Sequence, residues 1–94
     1  MEEFSFEWDA RKAQNNVVAH GVTFEEAVSV FYAPLLLTFF DADHSHDEDR
    51  FQSIGQSERH RLLLIVHTDR GDTIRIISCR GATATERKTY EQRD

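Results

Sequence analysis

Little in this chain of 94 residues lends itself to covalent or membrane chemistry. Its one cysteine, Cys79, excludes an internal disulfide and fits a reducing, cytoplasmic setting. Its four glycines form no glycine-rich phosphate loop, and no nucleophile-elbow motif is present. No apolar run approaches the ~20 residues that a membrane helix needs. The start, Met-Glu-Glu-Phe, has neither the basic nor the apolar part of a signal peptide. No repeat, linker or low-complexity stretch divides the chain. Residues 1–94 are therefore expected to form one domain with a modest core. With 39% hydrophobic and 30% charged residues, the composition is that of a soluble globular chain.

The net charge of −6 speaks at first against a nucleic-acid partner, but it is unevenly spread. Residues 1–58 carry 3 Lys/Arg against 12 Asp/Glu, whereas residues 59–94 carry 8 against 5. A local basic surface can guide an anion even on an acidic molecule. A charge-mixed, solvated face is the competing interpretation.

The segment from Arg61 to Arg80, RLLLIVHTDRGDTIRIISCR, predicts a β-hairpin: two apolar, β-branched runs flank Asp69-Arg70-Gly71-Asp72. A three-residue loop with Gly71 left-handed would set Thr68 opposite Asp72, Val66 opposite Ile74 and Ile65 opposite Arg75. Leu62, Leu64, Val66, Ile74 and Ile76 then form the core face. Leu63, Ile65, His67, Thr73, Arg75 and Ile77 form the other. A two-residue loop would instead send His67 and Arg75 to opposite faces.

Around the hairpin, Phe4-Ser5-Phe6-Glu7-Trp8 alternates as a strand does. Asp9 is placed to cap a helix over residues 10–20, closed by His20-Gly21. Thr23-Phe24-Glu25-Glu26 is a capping box, with Val22 and Ala27 set for a hydrophobic staple. It opens a second helix along Phe24, Ala27, Val28 and Phe31, which the only proline, Pro34, stops after Ala33. Residues 35–40 predict a strand covered on much of both faces. Residues 41–49 predict an acidic loop, and 51–54 a strand with Gly55 as a bulge or a weakening. Residues 57–60 connect to the hairpin. Thr83 and Glu86 form a capping box for a last helix through Tyr90. The fold class expected is α+β, in the order β-α-α-β-β-β-β-α, a mostly antiparallel sheet with two N-terminal helices on one face.

Arg75 and Arg80 are candidates for holding a phosphate, because a guanidinium stays charged and presents a fork of donors. Salt bridges are their competing role. His67 is the candidate acid or base, with His20 as second. A satisfied structural histidine and a helix cap are the respective alternatives. Lys12 and Arg70 are candidate backbone contacts, and Tyr90 is an expected anchor for the last helix. His44 and His46, among Asp41, Asp43 and Asp47, match no closed zinc pattern, so a solvated loop is expected and no metal or cofactor. Cys79 beside Arg80 has no thiol-nucleophile motif around it.

Several motifs together resemble the BrnT family of toxins. In the first half they are FEWD at 6–9, Lys12, Asn16, His20-Gly21-Val22, Phe24-Glu25-Glu26-Ala27, Phe31 and Pro34. In the second half they are Arg50-Phe51, Ile54-Gly55, His67-Thr68, Arg70-Gly71-Asp72, Ile74 to Ser78, Arg80, Ala82-Thr83, Glu86-Arg87 and Tyr90. The resemblance implies a RelE-like fold, a ribonuclease activity that arrests translation, and a cognate BrnA antitoxin that binds DNA. Under it, the expected reaction is metal-independent RNA cleavage. Arg75 and Arg80 would clamp phosphate, His67 or His20 would move the proton, and Lys12 and Arg70 would position RNA. The chain departs from the family pattern at Ala19, where a lysine usually precedes His-Gly; if that lysine binds RNA, the resemblance implies either a slower protein or one that leans on Lys12. The alternative function is a non-catalytic interaction module within a repressor complex.

Overall fold

Three helix starts follow from three short polar side chains. Asp9 accepts from the Lys12 N–H at 3.0 Å and opens α1, Ala10–His20. Thr23 accepts from the Glu26 N–H and opens α2, Phe24–Val30. Thr83 opens α3, Ala84–Glu91, with a complete capping box in which Glu86 accepts from the Thr83 N–H. The computed structural model describes residues 4–92; residues 1–3 of the acidic N-terminus, and 93–94, lie outside the described residues.

The strands are β1 (Ser5–Glu7), β2 (Leu37–Phe40), β3 (Phe51–Gln56), β4 (Leu62–Arg70) and β5 (Thr73–Gly81), so the predicted order of elements holds. They form one sheet in the order β1-β5-β4-β3-β2, antiparallel except for the parallel pairing of β1 with β5. Helices α1 and α2 cover one face. Val22, Phe24, Ala27, Val30 and Phe31 pack there against Leu63, Ile65, Ile74, Ile76 and Cys79. A smaller cluster, Ile54, Leu62 and Leu64 with Leu37, Ala82 and Tyr90, lies on the other face beneath α3. Tyr90 is thus the expected anchor.

The hairpin register differs from the expectation. The loop has two residues, Gly71 and Asp72, because Arg70 pairs with Thr73, Asp69 with Ile74 and Thr68 with Arg75. Gly71, at φ +61°, occupies the first loop position, where a type II′ turn needs glycine. Farther along, His67 pairs with Ile76 but Val66 pairs with Ser78, leaving Ile77 as the extra residue of a β-bulge. Inward and outward positions exchange at that bulge. Ile74 and Ile76 point to the helices before it, Cys79 after it; Arg75, Ser78 and Arg80 share the opposite face. Leu63, Ile65 and His67, expected on the open side, are buried under α1 and α2.

Three other expectations are revised. Strand β2 is an edge, and Phe39 and Phe40 are exposed rather than covered on both faces. Helix α2 ends at Val30, ahead of Pro34. Glu26 does not complete a capping box; its carboxylate, only 3% exposed, instead meets Arg61, whose Nε donates at 2.9 Å, and the Ser57 hydroxyl at 2.7 Å. That ion pair, together with the Arg61 bond to the Gly21 carbonyl, fastens the β3–β4 connection to α2.

Beyond Arg75, β1 no longer covers the outer edge of β5. The Asn16 carboxamide replaces it. Its Nδ2 donates to the Cys79 carbonyl at 2.7 Å and its Oδ1 accepts from the Cys79 N–H at 3.0 Å. The same amide donates to the Val22 carbonyl at 2.9 Å. The amide thus does the work of a strand neighbour and seats α1 on β5.

Gly55 sits in regular register opposite Leu63 and is no bulge. A Cβ there would lie 3.0 Å from Val30 Cγ1, in a fully buried side chain. Gly55→Ala is expected to lower stability by ~1–2 kcal/mol in urea unfolding. With Val30→Ala already present, the added methyl group should cost little.

Candidate active site

His67 is 2% exposed, with Phe31 edge-on at 5.0 Å and Phe51 stacked at 5.9 Å between ring centroids. Its Nδ1 lies 2.7 Å from Asp69 Oδ1 and its Nε2 2.8 Å from Ser53 Oγ. Burial pushes its pKa below the ordinary histidine value, against the opposing pull of Asp69. In the neutral ring, Nδ1 must be the donor, since the carboxylate only accepts, and Nε2 accepts from Ser53. Ser53 is wholly buried and also bonds Thr38 Oγ1 at 2.8 Å. The order Asp69–His67–Ser53 resembles a nucleophilic triad, but its hydroxyl is sealed in the interior and ties three strands together. The expectation that His67 and Arg75 share an open face is therefore corrected, because the two-residue loop separates them.

Arg75 and Arg70 lie toward the turn end of the hairpin. Arg75 donates to Glu7 Oε2 at 3.1 Å, and Arg70 to Glu48 Oε2 at 3.1 Å. These are exposed pairs of small energetic weight. Neither arginine lines the concavities that hold Arg80, Lys12 and His20.

Arg80 is placed differently. It lines a cleft of about 280 Å³ on the open face with Asp41, His44, Arg50, Gln52, Leu64, Val66, Ile77 and Ser78. Its fork binds both Glu86 oxygens at 2.8 Å, which draws the Glu86 carboxyl down to about 2 and holds α3 at the cleft's rim. Ile77 and Ser78 also line a second, shallower concavity of about 220 Å³ with Lys12, Asn15, Asn16, Ala19 and His20. Lys12, Asn16 and His20 recur every four residues on one stripe of α1, so the Asn16 clamp fixes where the other two stand. The bulge thus joins two concavities, one carrying Arg80 and the other Lys12 and His20. Lys12 and Arg50 form no side-chain ion pair among the described residues.

The loop over residues 41–50 is more ordered than a solvated acidic stretch. The Asp41 N–H donates to the Arg50 carbonyl at 2.8 Å, the Ser45 hydroxyl to the Asp41 carbonyl at 2.6 Å, and the Arg50 N–H to Ser45 Oγ at 2.9 Å. A 3₁₀ turn over Ala42–His44 folds the His44 ring back on Asp41, with Nδ1 at 3.0 and 3.1 Å from the two carboxylate oxygens. Gln52 Nε2 donates to the same carboxylate at 3.1 Å. Burial opposes ionisation of Asp41, but the hydrogen bonds from His44 and Gln52 outweigh it and hold its pKa below the ordinary range. His44 and Arg50 are the residues missed as site members. The spacing of Asp41 and His44 was visible in the chain; the approach of Gln52 and Arg80 was not. No group of three or more His, Cys, Asp or Glu side chains among the described residues is arranged to hold a metal ion. Cys79 is buried, and burial drives its thiol up to about 12, so it offers no nucleophile.

The sheet order, the two helices on one face and the open-face cleft define a small α+β domain. A family model described as "Ribonuclease toxin, BrnT, of type II toxin-antitoxin system" matches residues 8–86, and the chain belongs to that family. Among solved structures it is similar to the crystal structure of the Brucella abortus ribonuclease toxin BrnT. The TM-score is 0.61 and the identity 22%, over 86% of this chain and 99% of that one. No curated protein matches the chain. The fold likeness and the family assignment rest on different comparisons and agree. No helix among the described residues is long and apolar enough to cross a membrane.

The burial of His67 has a pH consequence. An unfolded histidine takes up its proton near pH 6.5, whereas folded His67 resists it. Its contribution to stability is complete above that pH and is lost progressively as pH falls below it toward the lowered folded-state value. The melting temperature is expected to fall between pH 7.5 and 5.5. His67→Gln should flatten that slope while costing ~1–3 kcal/mol at pH 7.5.

Proposed function

We propose that this chain is a metal-independent endoribonuclease toxin, neutralised by a cognate BrnA-like antitoxin through which the pair binds operator DNA. The observation that supports it best is the concentration of Arg80, Arg50, Lys12 and His20 in two concavities that meet at Ile77 and Ser78. RNA carries its own nucleophile, the 2′-hydroxyl. A protein that cleaves it must neutralise the phosphate and move protons. Arg80 clamps the phosphate, Lys12 positions the backbone, and His20 exchanges a proton at the lip of α1. Arg75 and Arg70 contribute at most a distant steering field from their pairs with Glu7 and Glu48. Cleavage of cellular RNA halts translation and growth.

The exposed edge, with Phe39 at 43% and Phe40 at 54%, favours a rival reading in which the chain only binds a protein partner. Expression without an antitoxin separates the two readings, since only the enzyme arrests growth.

Purified protein is expected to degrade RNA in the presence of EDTA. Arg80→Ala should lower the rate about 100-fold, the scale of one lost transition-state contact. Glu86→Gln breaks the same ion pair but frees the guanidinium, so it should retain activity. Equal loss in both variants, measured by gel assay beside their melting curves, would reduce Arg80 to a prop for α3.

A further inference from the structure

Within the cleft, one side chain has the geometry of a proton acceptor and no structural duty that requires it. His44 reaches Asp41 through Nδ1 alone, and its side chain is 66% exposed while that of Asp41 is 8% exposed. Asp41 is a carboxylate and only accepts, so Nδ1 carries the hydrogen. Nε2 then presents its lone pair to solvent. Three restraints hold the pair in this orientation. The Asp41 carboxylate is fixed from β3 by Gln52, the turn is closed by the Ser45 hydroxyl, and the loop ends are joined by the Asp41–Arg50 backbone bond. A carboxylate that fixes the tautomer and orientation of an imidazole is how proteins build a general base. Cations stand on two walls of the same cleft, Arg50 from the loop and Arg80 from β5. They answer the negative charge of Asp43, Asp47 and Glu48 on the outer loop.

We propose that His44, positioned by Asp41, is a catalytic residue that removes the proton from the attacking 2′-hydroxyl of an RNA phosphodiester. This proposal rests on the ribonuclease reading. Nε2 takes the 2′-hydroxyl proton as the O2′–P bond forms. The P–O5′ bond breaks with its electron pair left on O5′, which takes the proton that the ribonuclease reading assigns to His20; His20 regains one from water and the His44 imidazolium returns its own to water. The products are a 2′,3′-cyclic phosphate and a 5′-hydroxyl, with no net consumption of water. Arg50 and Arg80 bear on the non-bridging oxygens, where charge accumulates. Asp41 is a positioning residue.

The test uses the whole purified chain and two substrates: a mixed-sequence oligoribonucleotide, and a ribonucleotide 3′-(4-nitrophenyl phosphate), whose leaving group needs no proton. His44→Gln is expected to lose about 100-fold or more on both, within the range of general acid–base contributions, with an unchanged melting temperature. Asp41→Asn should lose about 10-fold and move the ¹⁵N shifts of the His44 ring as the tautomer changes. Full cleavage by His44→Gln, or recovery of its rate on the nitrophenyl ester alone, overturns the proposal. In either case the ribonuclease reading survives. A wild-type chain that cleaves neither substrate overturns both.

Discussion

The contact between the Asn16 carboxamide and the Cys79 peptide group positions almost everything else. Strand β5 is the second strand of the sheet, yet β1 covers only its first three residues. Past that point the outer edge of β5 would present bare N–H and C=O groups, the condition that sheet edges must escape. One side chain satisfies both groups of Cys79 and adds the Val22 carbonyl after α1. Helix α1 is thereby locked in rotation and height against the sheet. Lys12 and His20, one turn on either side of Asn16, are set beside Ile77 and Ser78 as a result. A glutamine or aspartate would not reproduce this contact: one is longer, and the other lacks the two donors.

Polar groups in this chain fall into two sets. The first set, Glu26–Arg61–Ser57 at one end of the sheet and Asp69–His67–Ser53–Thr38 across three strands, has its buried members, Glu26, Ser57, His67 and Ser53, held by partners of which Arg61 and Asp69 reach the surface. Each member there finds a partner, which is what makes its burial tolerable. The surface set, His44 on Asp41 with Arg50, Lys12 and His20, stands at the two concavities. Arg80 shares in both roles, since it lines the cleft while its fork holds Glu86 and with it α3. Burial within the first set explains why His67, the most suggestive histidine in the chain, is the one least able to meet a substrate.

Much of the fold was legible because it is local. Asp9, Thr23 and Thr83 cap helices through bonds to residues three positions away, and the alternation around Phe6 and Trp8 marks a strand without any knowledge of its partner. The hairpin was legible but its register was not, since Asp-Arg-Gly-Asp suits a loop of two residues or three. Burial gave no guide either. Both Leu62 and Leu64 on one face and Leu63 and Ile65 on the other are covered, by α3 and by α1 with α2, so the run has no wet side. The partners of Glu26 lie 31 and 35 residues away, and the capping-box pattern of its local sequence gives no sign of them. At the site, Arg80, Lys12 and His20 stand out in the sequence as individual residues. His44 reads there only as part of a charged loop, because what distinguishes it comes from Gln52 on the neighbouring strand and from the hairpin beyond.

The unpaired residue at position 77 gives the second half of β5 a counting rule. Before it, even-numbered side chains enter the core; after it, odd-numbered ones do. If that residue were instead paired with Val66, alternation would run unbroken, a guanidinium would be drawn into the hydrocarbon interior and the thiol pushed out into the cleft. Removing it outright would only close the bulge, leaving Ser78 opposite Val66 and Cys79 opposite Ile65 as now. The pairing of this strand therefore matters in a way that its composition does not: a one-residue slip would turn its arginine-bearing face inward, whereas a one-codon deletion at the bulge would not.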